Sequence, residues 1–183
     1  MGSSLYLEKG DEMSNSTDTT FKDLIHALSS YNDLSRVEAR KALVAMGKQA
    51  VPALIEALED LSSHHLLRWE AAKALGEIGA PEAAPTLVNA LEDKEFDVRW
   101  LAAKGLIEMN VRALRPLLKE LIERADSVLF RQGAHHVLHD LAKGELRIDL
   151  VPVLIAMEGA EPGVHVPLAA SHAIEMLENA KII

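Results

Sequence analysis

The 183-residue chain contains no cysteine and only 4% aromatic residues. Without a thiol there is no disulfide framework, thiolate metal site or cysteine nucleophile. No stretch reaches the roughly 18 consecutive apolar residues that a membrane-spanning helix needs. Cations are outnumbered: 19 Lys and Arg stand against 28 Asp and Glu, a formal net charge of −9. That balance argues against general nucleic-acid binding, which needs clustered cations to displace phosphate counterions. Glycine-rich phosphate loops and the Gly-x-Ser-x-Gly nucleophile turn are missing as well. What is abundant is Ala and Leu within a 49% apolar composition. Such a chain favours helices over strands and is too apolar for wholesale disorder.

Residues 1–19 are acidic, rich in Ser and Thr, and without periodicity. They read as a disordered tail, or in part as an expression remnant ahead of Met13. They hold no apolar run of secretory type, so the expected location is the cytoplasm, with no membrane contact.

From residue 20 onward the chain repeats itself. VPALIEALED (51–60), APTLVNALED (84–93), RPLLKELIER (115–124) and VPVLIAMEG (151–159) share a proline followed by Leu and Ile at helical spacing. Pro52, Pro85, Pro116 and Pro152 are each expected in the first turn of a helix, where a missing N–H costs nothing. A second segment follows each copy. Four of them begin with an arginine: Arg36, Arg68, Arg99 and Arg131. Ala39, Ala71, Ala102, Ala134 and Ala170 form one column, and Leu43, Leu75, Leu106, Leu138 and Ile174 another, four residues on. Small-then-large spacing lets helices approach closely and interlock. Two helices in each period of 31–36 residues predict an all-α superhelical solenoid. About five repeats are expected in a single domain over 20–180, near 20–47, 48–79, 80–110, 111–144 and 145–180.

The pattern Pro-x-Leu…Asp…Val-Arg-x-x-Ala-x-x-x-Leu, with Asp97-Val98-Arg99 as its clearest turn, resembles HEAT repeats of the short, phycobilin-lyase-like kind. The resemblance covers 20–180 and implies a right-handed α–α superhelix in which each repeat's second helix lines the concave side. It constrains function less, because such repeats serve scaffolds, lyase subunits, hydroxylases and DNA-binding enzymes. A related family of hydroxylases binds di-iron through His-Glu pairs, and no His-Glu dipeptide occurs in this chain. The resemblance also implies that Arg36, Arg68, Arg99 and Arg131 form a structural ladder, with Asp60, Asp93, Asp97 and Asp126 as partners.

On the implied concave face, Trp69 and Trp100 occupy one column in adjacent repeats among small neighbours. They are read either as an open aromatic shelf for a partner or as padding between helices. Arg40, Gln132, His135 and His139 are expected to add polar contacts. His135 and His139, four apart on one helix face, could chelate a metal together with His172 or Glu175 from the next helix. Against this, His136 and His172 replace Lys41, Lys73 and Lys104 in a solvent-facing column and read as ordinary surface residues, and the clustered histidines could instead titrate near neutral pH. The apolar end, Lys181-Ile182-Ile183, suggests either end-to-end self-association or a fraying helix.

The function expected is a non-catalytic scaffold or adaptor holding a protein or peptide in the concave groove. No catalytic residue, resident metal or cofactor is assigned. The rival is a metal-binding or bilin-lyase-like enzyme subunit that uses His135 and His139.

Overall fold

A computed structural model describes residues 20–183, so the expectation for residues 1–19 lies outside the described residues. Among the described residues every regular element is a helix, and the fold is an all-α solenoid. Helix α1 covers residues 20–27. The rest are α2 (Asp33–Met46), α3 (Val51–Glu59), α4 (His65–Ile78), α5 (Ala84–Asn89), α6 (Phe96–Met109), α7 (Val111–Glu123), α8 (Val128–Leu141), α9 (Arg147–Glu158) and α10 (Pro162–Asn179).

Local chemistry sets the boundaries. Asn32 Oδ1 accepts from Leu34 N (3.0 Å) and Ser35 N (3.3 Å) to start α2. Ser127 Oγ accepts from Phe130 N (3.2 Å) to start α8. Each supplies an acceptor to backbone donors that the first turn leaves without partners. His64 does the same for α4 through Nδ1, at 3.3 Å from Leu66 N. Gly79 ends α4 in the left-handed region, φ +63°, where a side chain would be strained.

Two of the four prolines depart from expectation. Pro52 and Pro85 lie in first turns, whereas Pro116 and Pro152 stand inside α7 and α9. In the earlier repeats the preceding turn is a 3-10 segment, Gly47–Ala50 or Pro81–Ala83. In α7 and α9 the corresponding residues continue as α-helix, so the proline falls a turn deeper.

Helices α2, α4, α6 and α8 stack as one row, and α3, α5 and α7 as another. Leu43, Leu75, Leu106 and Leu138 are sealed from solvent between the rows, beside Ala39, Ala71, Ala102 and Ala134. Burying each leucine contributes about 1.5–3 kcal/mol. The tightest crossing is α4 on α6, where a Cβ on Gly76 would stand 2.7 Å from the Cα of Gly105.

The last pair exchanges rows. Helix α9 packs on α8, while α10 packs on α7 and α9. Arg115 of α7 pairs with Glu178 near the end of α10. At the other end, a Cβ on Gly163 would fall 2.1 Å from Asp126 Oδ1, beyond the end of α7. Helix α10 therefore runs antiparallel to α7. Its buried face is Val166, Ala170, Ala173 and Leu177, spaced four, three and four.

Candidate binding groove

Each of α2, α4, α6 and α8 is anchored at its start by the repeated arginine. Arg36, Arg68 and Arg99 donate through Nη1 to the carbonyls of Ser30, Ser63 and Asp93, each at 2.7 Å. Arg131 donates likewise to Ala125 O. The carboxylate partners differ from those the resemblance implies. Of the four aspartates only Asp93 takes an arginine: Arg68 Nε reaches its Oδ2 at 2.7 Å and Nη2 its Oδ1 at 3.1 Å, with both side chains buried. Asp60 instead accepts from Ser62 N (3.0 Å) and Ser62 Oγ (2.5 Å), and the hydroxyl bond leads in holding its carboxyl below the usual range. Buried Glu70 takes Arg36 and Arg40.

This frame fixes the residue one position on: Val37, Trp69, Trp100 and Gln132. The two indoles sit differently. Trp69 is half-buried against the core, with Arg36 Cζ 6.0 Å and Lys73 Nζ 5.8 Å from its ring centre. Trp100 is 46% exposed and lies face to face with His136 of α8, centroids 4.9 Å apart and planes 26° apart. Beside it opens a cleft of about 260 Å³ between α6 and α8. Phe96, Leu129, Trp100 and His136 wall it, Gln132 stands at its mouth, and Leu91 and Gly133 form its floor. A Cβ on Gly133 would meet Leu91 at 3.1 Å, so glycine lets α8 sit this close. The cleft is apolar with a few polar atoms at its rim, as sites for an anchor side chain generally are.

The other residues singled out from the sequence separate. Arg40 is buried, with Nε 2.9 Å from Glu70 Oε2 and Nη1 on Glu77, so its guanidinium is committed internally. His135 Nε2 lies 2.9 Å from Glu158 Oε1 of α9 and stacks on His139 at 6.0 Å. His172 and Glu175 ride on α10, which joins α7 rather than α8. The expected alignment of these two with His135 and His139 fails because the last pair exchanges rows. Among the described residues no group of three or more His, Asp or Glu stands where it could hold a metal ion. Ile182 and Ile183 line a cavity of about 540 Å³ with Pro81, Pro85 and Pro116, and Ile183 packs on the core.

Sequence reasoning missed Phe96, Leu129 and His136 as cleft residues. A usable signal was present: Phe96 and Trp100 stand four apart on α6, and at the positions of Phe96 and Asp97 α8 carries Val128 and Leu129. Phe96 and Val128 are 65% and 60% exposed.

Residues 21–97 match a family model described as HEAT repeats. The phycocyanobilin lyase subunit alpha of Nostoc sp. (strain PCC 7120) is 40% identical over 79 residues, 40% of this chain and 29% of that protein. The phycocyanobilin lyase subunit beta of Pseudanabaena tenuis is 36% identical over 110 residues, 58% of this chain and 38% of that protein. Among solved structures, the complex of CpcE and CpcF of phycocyanin lyase from Nostoc sp. PCC7120 aligns with 98% of this chain and 70% of that one. That alignment has a TM-score of 0.47 and 27% identity. The chain thus spans about a third of the length of these curated relatives.

Proposed function

Taking as premise that this chain is a HEAT-repeat protein, we propose that it is a non-catalytic scaffold or adaptor that holds a protein or peptide partner along its second-helix row. The observation that carries this reading is the half-exposed Trp100 indole beside the cleft of about 260 Å³. Large aromatic rings that stay open in the free protein bury much area at little entropic cost, which is why they dominate binding energetics. In this reading Trp100 is the anchor, Trp69 supports the neighbouring wall, and Gln132, His135 and His139 provide polar contacts along α8. Arg40 acts from below, holding Glu70 and Glu77 in place. His172 and Glu175 belong to the outer side, on α10. A cytoplasmic setting is part of the proposal, and fractionation of host cells tests it. No described helix is long and apolar enough to cross a membrane.

The test is capture from host extract with two baits, the unaltered chain and Trp100→Ala, followed by mass spectrometry. Proteins held by the first and lost by the second support the reading. Identical capture by both removes it.

A bilin-lyase-like subunit is the second reading, supported by the identity to phycocyanobilin lyase subunits over part of their length. It predicts that adding the chain to phycocyanobilin shifts the pigment's visible absorbance, with His135→Ala/His139→Ala weakening the effect. An unchanged spectrum at saturating protein eliminates it.

A further inference from the structure

The aromatic column is followed, one helical turn on, by three lysines and a histidine. Val37, Trp69, Trp100 and Gln132 are followed four residues later by Lys41, Lys73, Lys104 and His136. Residues four apart share a helix face, so this column runs beside the aromatic one along α2, α4, α6 and α8. Lys41 and Lys104 are exposed. Lys73 lies 5.8 Å from the Trp69 ring centre, and His136 stacks on Trp100.

These charges are not consumed internally. Among the described residues none of the three lysines takes part in an ion pair, although ten pairs of Lys or Arg with a carboxylate tie other residues together. Arg99, at the start of α6, gives its Nη1 to two backbone carbonyls and meets no carboxylate; its Cζ stands 5.6 Å from the Phe96 ring centre beside the cleft. Two of the acids one turn beyond the cation column are occupied, Glu77 by Arg40 and Asp140 by Lys143. Asp97 and Glu108 are the exposed acids of α6. In a chain of net charge −9, three lysines with no carboxylate partner along one helix row, two of them a turn beyond Trp69 and Trp100, are a local source of positive charge.

We infer that the groove recognises an acidic protein segment: an apolar or aromatic side chain enters the cleft beside Trp100, and flanking carboxylates meet Lys73, Lys104, Arg99 and His136. The inference rests on the scaffold reading above and adds the chemistry of the partner. Charge complementarity of this kind steers encounter and sets register, while the buried anchor supplies most of the affinity. A polyanionic nucleic acid would also meet the cations, but the rest of the acidic surface repels a long uniform polyanion.

The test is selection of a displayed random 16-residue peptide library on the full chain. Selected peptides are then rebound to Trp100→Ala and to Lys73→Gln/Lys104→Gln, with melting curves confirming that both variants fold. The expected result is enrichment of Asp and Glu around an apolar residue. Binding should weaken at least about tenfold in Trp100→Ala and fall with added salt and in the lysine variant. Peptides that need Trp100 but show no acidic enrichment overturn this inference and leave the scaffold reading standing. No enrichment, or peptides indifferent to Trp100→Ala, overturns both. Rebinding of a 16-nucleotide single-stranded DNA more tightly than the best peptide overturns the protein-segment assignment.

Discussion

The indole of Trp100 and the imidazole of His136 lie face to face across the α6–α8 boundary, 4.9 Å between centroids. Trp69, one repeat earlier, has no such ring partner among the described residues and packs on the core instead. Trp69→Ala should therefore lower stability by about 1–3 kcal/mol, a partial version of the loss for a fully buried aromatic. Trp100→Ala should change it by no more than about 1 kcal/mol. Urea denaturation of the two variants side by side checks the contrast.

Gly76 faces Gly105 where α4 and α6 come closest. Gly76→Ala puts a methyl 2.7 Å from backbone, which cannot rotate out of the way. The expected loss is about 1–3 kcal/mol, despite the better helix propensity of alanine. Gly144→Ala, with only Leu141 O at 3.9 Å, serves as the control expected to melt close to the parent.

The Arg68–Asp93 pair is the best buried ion pair of the frame. Asp93→Ala leaves a guanidinium in the core without its carboxylate and should cost about 3–5 kcal/mol. Arg68→Met/Asp93→Leu, which removes both charges, should recover much of that loss. Thermal melts of single and double variants decide it.

The exchange of rows by α9 and α10 is open to covalent test, because the chain has no competing thiol. Arg115→Cys/Glu178→Cys should be bridged by a short dimaleimide within one chain, and Gln132→Cys/Leu168→Cys, which the repeat columns would bring together, should not. Bridging only in the second pair would mean that α10 stacks on α8.

Asp140 should titrate below an ordinary aspartate. The hydrogen bond from Lys143 Nζ is the leading cause, opposed by some desolvation and helped by the charges of Lys143, His136 and His139. The folded-state pKa is depressed, so the stability it confers is present above the unfolded value and lost as pH falls through the folded one. Carboxyl chemical shifts followed with pH should show the low midpoint, and Lys143→Ala should raise it.

The repeat columns made the helical solenoid legible in the sequence, since Ala39, Ala71, Ala102 and Ala134 with their leucines fill the interface between rows. The exchange of rows was not legible. Ala170 and Ala173 offer the same small face whether α10 meets α8 or α7, and periodicity carries no information about which neighbour it finds. For the same reason the sequence columns set His172 and Glu175 beside His135 and His139, from which the structure separates them. Arg40 read as a groove residue because its partner Glu70 lies 30 positions away on α4. The aromatic column was visible, but not that one ring would pack and the other stay open. That difference depends on the surroundings of each ring: Arg36 and Lys73 flank Trp69, while Trp100 meets His136 of α8 beside a cleft.

The claim that Trp100 is an open anchor which a partner covers can be read from one indole. In Trp69→Phe, Trp100 is the sole tryptophan, and acrylamide quenching of its emission reports its access to water. The account predicts efficient quenching in the free protein and strong shielding once the captured partner is added. An indole already shielded when free, or equally quenched with the partner bound, contradicts it.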